Sequence, residues 1–383
     1  MKAHPKIVTR QLLGNEDQLP ADLHPVLRRI LLARGITRKE QIDLGLRQLE
    51  SPNSLGGLDT ASAILAEAVR SDRQIMIVGD FDADGATGTA LAVRALLAMG
   101  ASRVDFRVPN RFEFGYGLTE ALVDTLAENP PDVLVTVDSG ISCHAGVKRA
   151  RTLGSEVIVT DHHLPGEHLP EANAIVNPNV PGDDFPSKAL AGVGVMFYLL
   201  CAVRSALRAS GWFKAGRNEP NLARFLDLVA LGTVADLVPL DHNNRVLVNE
   251  GIRRIRSGQA GPGLMALLKL GKRDYRHLVA SDLAFAVAPR LNAAGRLEDM
   301  SVGIRCLLTE DPLEAVELAG QLDELNRSRR SMQQQMQDEA SAKLETVLRD
   351  LEGEPLPFSM CLHDPSWHQG IVGLVASRIK DRI

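Results

Sequence analysis

Apolar and polar positions along this chain follow two rhythms, and the switching between them outlines the architecture. From Gln74 to about Pro178, short β-branched apolar runs recur at Ile75–Gly79, Val104–Val108, Val133–Val137 and Val157–Thr160, with a shorter one at Ala174–Val176. Between them lie helical patterns at Thr87–Met99, Thr119–Glu128 and Cys143–Leu153. Continuous apolar strands alternating with helices predict an α/β fold, a parallel sheet with helices on both faces. In such sheets ligands sit outside the carboxyl ends of the strands, so the residues just after each strand carry the chemistry.

Outside this region the rhythm is helical. Residues 1–50 read as a charged, mostly helical extension. The apolar run Ala189–Val203 is too short and too rich in glycine to span a bilayer comfortably, and it predicts a buried helix. Helical stretches follow near Asn244–Ile255 and Leu264–Leu270. After Pro312 a long, polar, proline-free pattern rich in Glu, Gln, Arg and Met runs to about Leu351, as in a helix that bridges two domains. Glu352-Gly353-Glu354-Pro355-Leu356-Pro357 breaks it. A strand at Phe358–Leu362 and a helix at Ile371–Arg382 then predict the start of a second, smaller α/β domain, incomplete at residue 383, as in a fragment of a longer protein.

Composition adds bounds. With 383 residues, 45% hydrophobic and 24% charged, the chain has the profile of a globular protein of two or three domains. The opening Met1-Lys2-Ala3-His4-Pro5-Lys6 predicts no secretory signal. Cys143, Cys201, Cys306 and Cys361 lie far apart without a CxxC pair, against structural zinc or a disulfide framework and in keeping with a reducing cytoplasm. A net charge of -5 gives no global sign of nucleic-acid binding, yet a local basic groove depends on the distribution of charge rather than its sum.

The candidate chemistry begins at Asp80-Phe81-Asp82-Ala83-Asp84-Gly85. A calcium loop of the EF-hand type needs an entering helix and a bidentate Glu at its twelfth position. Here the lead-in is a strand and the twelfth residue is Leu91. Further strand ends supply Asp138 and Asp161-His162-His163, and Asp236 follows the Gly232-Thr233-Val234-Ala235 turn. Alone, Asp138 reads as a helix N-cap, Asp-His-His as a surface turn or as a His that orients the Asp, and Asp236 as a loop carboxylate bonded to nearby backbone N–H groups. The sheet rule brings them to one crevice, where oxygen ligands with imidazole suit Mg²⁺ or Mn²⁺, imidazole favouring manganese. The surplus of carboxylates predicts two ions, the arrangement that clamps both oxygens of an in-line phosphoryl displacement.

Taken in order, Asp-x-Asp-x-Asp-Gly after a strand, Val137-Asp138-Ser139-Gly140, Asp161-His162-His163 and Gly232-Thr233-Val234-Ala235-Asp236 resemble the DHH phosphoesterase superfamily, most closely its RecJ-type single-strand-specific exonucleases. The likeness runs from about residue 50 to near the end. It includes Val108-Pro109-Asn110-Arg111 through Gly115-Tyr116-Gly117, Pro289-Arg290-Leu291-Asn292-Ala293-Ala294-Gly295-Arg296-Leu297, and Trp367-His368-Gln369-Gly370-Ile371-Val372-Gly373. The resemblance implies that Asp84, Asp138, His162 and Asp236 hold one ion. Asp82 and a bridging Asp138 hold the other, with Asp80 close by, and His163 contacts the scissile phosphate. Many members carry a histidine where this chain has Val78, which leaves one metal site poorer in ligands.

The resemblance also implies a division into an extension (1–50), a DHH catalytic domain with a helical insertion (51–310), a bridging helix (311–352) and the start of a DHHA1-type substrate-binding domain (353–383). The implied activity is 5′→3′ hydrolysis of single-stranded DNA to 5′-mononucleotides in recombination and repair. The implied setting is a cytoplasmic monomer, off the membrane, working with single-strand-binding protein and a helicase. The family's glycine-rich, histidine-containing motif and its oligonucleotide-binding fold are not in this sequence, so weakened or distributive binding is expected. Arg111, Arg290 and Arg296 fall in segments resembling phosphate-contacting ones, with Ser377 and Arg378 as further candidates. The competing reading pairs Arg290 and Arg296 with Glu298 or Asp299.

Arg253-Arg254-Arg256 and Arg327-Arg329-Arg330 read as solvated helix faces. Phe112, Phe114 and Tyr116 either stack on bases or pack in the core, and Gly192-Val193-Gly194 reads as a tight helix start beside the site. Two rival functions are a DHH phosphodiesterase acting on short oligonucleotides or cyclic dinucleotides, and a non-catalytic DNA-binding scaffold. The long bridging helix and the Pro-Arg-Leu-Asn-Ala-Ala-Gly-Arg motif favour the exonuclease over the first, and the retained acidic and histidine set argues against the second.

Overall fold

Five strands, β1 (Ile75–Gly79), β2 (Val104–Arg107), β3 (Val133–Val137), β4 (Glu156–Thr160) and β5 (Ala174–Val176), pair in parallel in the order β2-β1-β3-β4-β5. They belong to a computed structural model that describes residues 8–214, 216–351 and 357–381. The helices are α1 (Pro25–Leu32), α2 (Leu58–Arg70), α3 (Ala83–Met99), α4 (Glu120–Asp124), α5 (His144–Thr152), α6 (Gly192–Ala209) and α7 (Leu226–Ala235). They continue as α8 (His242–Arg256), α9 (Pro262–Leu270), α10 (Ala280–Asp282), α11 (Ala288–Leu297), α12 (Ser301–Leu308), α13 (Pro312–Asp350) and α14 (Gln369–Lys380). A π-helical turn, Leu283–Val287, joins α10 to α11.

Both faces of the sheet are covered, which is why its strands are apolar throughout. Ile75, Ile77, Val133, Val135 and Val137 belong to the core shared with α2, α3 and α6. Their alternating neighbours Met76, Val78, Leu134, Val157 and Val159 pack with Leu122 and Val123 of α4 and Val147 of α5. The chain leaves β1 for β2 on one side and returns to β3 on the other. The topological switch point therefore falls between the carboxyl ends of β1 and β3, where a ligand crevice is expected.

The buried helix expected from Ala189–Val203 is α6, which packs against α2, α3 and α7. Among the described helices it alone is long and apolar enough to cross a membrane by length and composition, and here it lies in the protein core. α13 is the expected long helix, 39 residues or about 58 Å at 1.5 Å per residue. It is N-capped by Asp311, whose side chain accepts from the Leu313 N–H, with Pro312 pre-setting the first turn. Ala315, Leu318, Ala319 and Leu322 of its first half join the main core. Met336, Ala340 and Leu344 of its second half form a separate cluster with Ile371, Val375 and Ile379 of α14.

Several expectations change. Gly232–Ala235 is the last turn of α7 rather than a loop, because Leu226–Val234 is buried on every side. No strand forms at Phe358–Leu362: those residues are irregular, Phe358 is exposed, and no described strand offers a ladder there. The described part of 353–383 thus holds a helix and no sheet. The break at 352–356 lies outside the described residues. Within 8–50, only α1 and short 3₁₀ turns form, interrupted by Gly14, Pro20, Gly35 and Gly45.

Candidate metal centre

β1, β3 and β4 are each extended by one rung, and the residue that makes the rung is an aspartate. Asp80 N–H donates to Val137 O, Asp138 N–H to Thr160 O and Asp161 N–H to Val176 O, all at 3.1 Å. Asp138 is not a helix cap. It sits at φ 59°, in the left-handed region that Asp and Asn tolerate better than other side chains. The residue that does cap is Asp82, whose Oδ1 accepts from Asp84 N–H (2.9 Å) and Gly85 N–H (3.0 Å) and so starts α3 at Ala83. Gly85 and Gly88 therefore lie inside the helix. Their role is close approach: a Cβ at 85 would stand 2.5 Å from Asp80 O, and one at 88 would stand 2.5 Å from Val137 Cγ1.

Asp84 is held from the other side. Its Oδ2 and Oδ1 accept from Gly192 N–H (2.7 Å) and Val193 N–H (3.0 Å), the unsatisfied donors at the start of α6. This is the tight helix start anticipated beside the site. α11 closes the crevice: Asn292 Oδ1 accepts from Ala83 N–H at 2.8 Å, and a Cβ at Gly295 would collide with Phe81 O.

The functional atoms converge in three overlapping groups, Asp84 with His162 and Asp236, Asp80 with Asp82 and Asp138, and Asp138 with His162 and His163. Within each group the ligand atoms lie within 4.8 Å of one another. His162 Nε2 stands 3.0 Å from Asp138 Oδ1 and 3.5 Å from Asp236 Oδ2. Yet these three atoms and Asp80 Oδ1 are buried with no hydrogen-bond partner among the described residues. Buried lone pairs aimed at one another without a donor are costly, and a cation resolves that cost. By this test the residues fit divalent metal. Asp138 belongs to both a carboxylate group and an imidazole-containing group, and Val78 is buried beneath them without offering a ligand.

Burial, and then the neighbouring Asp82, raises the Asp80 carboxyl to about 7. Burial and the other carboxylates push Asp84 and Asp138 well above the usual range, and Asp236 is raised mainly by burial. His162 is lowered by burial. His163 is raised to about 8, chiefly by its hydrogen bond to Asp161.

Asp161 is the residue that sequence reasoning undervalues. Its Oδ1 accepts from His162 N–H (2.7 Å), His163 N–H (3.0 Å) and His163 Nδ1 (2.7 Å), and its Oδ2 accepts from Ile141 N–H (2.9 Å). Burial pushes its carboxyl up, but these donors outweigh that and hold it below its ordinary value. With its lone pairs engaged, Asp161 orients His163. Asn177 Nδ2 and Asn179 Nδ2 fix the same turn by donating to His163 O (2.9 Å) and His162 O (2.6 Å). The signal that could have found it is Asp-His-His itself, which taken alone reads as a surface turn.

Of the anticipated phosphate contacts, Arg111 lies with its guanidinium 4.0 Å over the Phe81 ring, and Arg296 Nη1 donates to Gly370 O at 3.2 Å. Ser377 and Arg378 are exposed on α14, and Arg378 Nη1 donates to Gln337 Oε1 at 2.8 Å. Arg290 is placed differently. It is buried and paired with Asp323 through Nε (2.9 Å) and Nη2 (2.7 Å), so a carboxylate on α13 already neutralises it. Neither it nor Arg296 pairs with Glu298 or Asp299. Tyr116 is half exposed, edge-on to Phe81 and His163, whereas Phe112 packs edge-on to His368 and Phe114 against the α4–α5 core.

The raised carboxyls set a pH dependence for the metal-free protein. A group whose folded-state value exceeds its unfolded value stabilises the fold fully below the unfolded value, and that stabilisation fades as pH rises through the folded value. For Asp80 the window runs from 3.8 to about 7. Asp84, Asp138 and Asp236 act in the same direction, and so does His163, up to about 8. Asp161, held low, acts only below this window, and His162, lowered by burial, acts the opposite way below 6.5, against the raised carboxyls and His163. In EDTA the melting temperature is expected to fall between about pH 5 and about pH 8, and saturating Mn²⁺ to restore it. Calorimetry showing a flat or rising metal-free profile would contradict this account of the cluster.

The sequence profile described as "DHH family, N-terminal domain" matches residues 74–233. A single-stranded-DNA-specific exonuclease RecJ from Dickeya dadantii (strain 3937) is 53% identical over 368 residues, which are 96% of this chain and 64% of that protein. The chain therefore spans somewhat less than two thirds of that relative's length. A crystal structure of exonuclease RecJ bound to manganese superposes with a TM-score of 0.74 at 38% identity, covering 87% of this chain and 79% of the other. RecJ from Thermus thermophilus in complex with Mn²⁺ superposes with a TM-score of 0.75 at 36% identity, covering 92% of this chain and 48% of that one.

Proposed function

This chain belongs to the DHH family and, within it, to the RecJ exonucleases, and from that premise we propose that it is a metal-dependent exonuclease of single-stranded DNA. It works from the 5′ end and releases 5′-mononucleotides. The observation that carries the reading is the convergence of His162 Nε2, Asp138 Oδ1 and Asp236 Oδ2, buried and without donors, beside a second carboxylate group that shares Asp138. Asp84, Asp138, His162 and Asp236 hold one divalent ion, and Asp82, Asp138 and Asp80 hold the other, Mn²⁺ or Mg²⁺ in each case. Bound there, the ions supply Lewis-acid charge to a phosphodiester and acidify a water.

The chain's own groups do the rest. Asp161 holds His163 as a cation near neutral pH, directed at the scissile phosphate to offset its growing charge. Arg111 and Arg296 draw the strand in, and Tyr116 offers an aromatic edge at the mouth of the crevice. Single-strand-binding protein and a helicase are the partners proposed to supply the substrate to a monomeric, cytoplasmic enzyme.

The test is degradation of 3′-labelled single and double strands with Mn²⁺. Stepwise shortening of the single strand from its 5′ end with mononucleotide release is expected, with the duplex spared. Cleavage of cyclic dinucleotides but not long strands would favour the phosphodiesterase rival. Strand binding without cleavage of any substrate would favour the scaffold.

A further inference from the structure

The polar residues that α13 buries sort the nearby arginines into two kinds. Asp323 pairs with both Arg290 and Arg327, whose Nη2 lies 2.6 Å from its Oδ2, so one carboxylate is shared between two guanidinium groups. Farther along the helix the partners are amides. Asn326 and Gln333, 1% and 4% exposed, hold Arg329: its Nε and Nη2 donate to Asn326 Oδ1 (3.3 and 3.2 Å) and its Nη1 to Gln333 Oε1 (2.7 Å). One turn on, Gln337 holds Arg378. An amide oxygen fixes a guanidinium without cancelling its charge.

Arg329 is half-buried, so its charge is partly desolvated with no anion to compensate. Burial holds it below its ordinary value, and the like charges of Arg330, Arg296 and Arg378 add to this. Arg296 in turn lies near Asp82 and Arg111. Among the described residues, none of Arg111, Arg296, Arg329 and Arg378 forms an ion pair. Their holders are a ring face, a carbonyl and side-chain amides. A line of oriented guanidinium groups without direct ion pairs thus leads from the metal centre to the α13–α14 junction.

We infer that Arg329 is a substrate-binding residue, oriented by Asn326 and Gln333 to take a backbone phosphate of the single strand beyond the metal centre, with Arg378 beside it. Guanidinium gives phosphate two parallel bonds, and fixing the fork in advance reduces the entropy lost on binding. The inference rests on the nuclease reading and adds to it a track along α13, a face that sequence reasoning leaves to solvent.

The experiment measures binding of a 3′-fluorescein oligo-dT strand to the full chain in EDTA over a range of salt concentrations, with melting curves for each variant. Arg329→Gln is expected to bind about tenfold more weakly, with a log–log salt slope shallower by about 0.7. Gln333→Glu keeps an acceptor for Arg329 but adds a neutralising carboxylate. It is expected to reproduce both effects, and it serves as the test should Arg329→Gln fail to fold. Arg327→Gln, which removes an exposed guanidinium ion-paired with Asp323, is expected to change binding by less than about twofold. Wild-type affinity and slope in both Arg329→Gln and Gln333→Glu would overturn the inference while leaving the nuclease reading intact. A wild-type chain that neither binds nor cuts single strands would remove the nuclease reading and this inference together.

Discussion

Asp138→Asn is expected to lower single-strand cleavage by about a thousandfold and, in EDTA, to raise the melting temperature. The two effects have one origin. Asp138 is buried at the junction of both ligand groups, and its carboxyl is raised by burial and by Asp84, Asp82, Asp80 and Asp236. Asparagine has the same shape and tolerates the left-handed backbone, so the turn after β3 survives. Its amide supplies a donor where His162 Nε2 and nearby carboxylates lack one. Removing the charge relieves repulsion in the metal-free protein and removes the shared ligand from the metal-bound one, a trade of function against stability. Gel assays on a 3′-labelled strand and calorimetry in EDTA measure the two arms. Near-normal cleavage, or a lower metal-free melting temperature, would refute the assignment of Asp138.

Asp323→Ala is expected to cost about 3–5 kcal/mol of stability, because it leaves Arg290 buried without its carboxylate. The double substitution Arg290→Met with Asp323→Leu is expected to recover most of that loss, since two apolar side chains leave no buried unpaired charge and Arg327, which also loses Asp323, is exposed. Urea unfolding reads both, and strand binding by the double variant separates structure from recognition. If the double variant folds but loses affinity as severely as Arg329→Gln, then Arg290 contacts DNA after all and the pairing with Asp323 is not its main role.

Much of the sheet is legible because strands buried on both faces are written as uninterrupted apolar runs, each followed by the residue that matters: Asp80, Asp138, Asp161. The gathering of acidic and imidazole side chains is legible for the same reason, since parallel topology carries those positions to one edge. What sequence leaves hidden depends on partners distant along the chain. Nothing local to Arg290 announces Asp323, 33 residues later on another helix. Arg329 looks solvated by periodicity, and only the packing of α13 buries Asn326 and Gln333 beside it. Gly232 suggests a turn before Asp236, but the glycine is there for another reason. A Cβ would stand 2.2 Å from Thr87 Oγ1 and 2.8 Å from Asp84 Oδ1 inside a buried helix. For Asp161, one of the four donors that meet it comes from Ile141, 20 residues earlier, and no local pattern could show that.

The two separate apolar clusters along α13 have a consequence for how strongly a strand is held at any moment. The cluster of Met336, Ala340 and Leu344 with α14 is small beside the main core, and small clusters open at lower free energy than large ones. Arg296 belongs to α11, which packs in the main core, whereas Arg378 rides on α14. Release of α14 by local unfolding would remove Arg378 from the end of the row, and the Gly370 carbonyl from Arg296, without disturbing a carboxylate of the candidate metal centre. Under the proposed function, the grip on a strand and the reactive centre would be built on units of unequal stability, so that a strand is let go while the centre stays assembled for the next one.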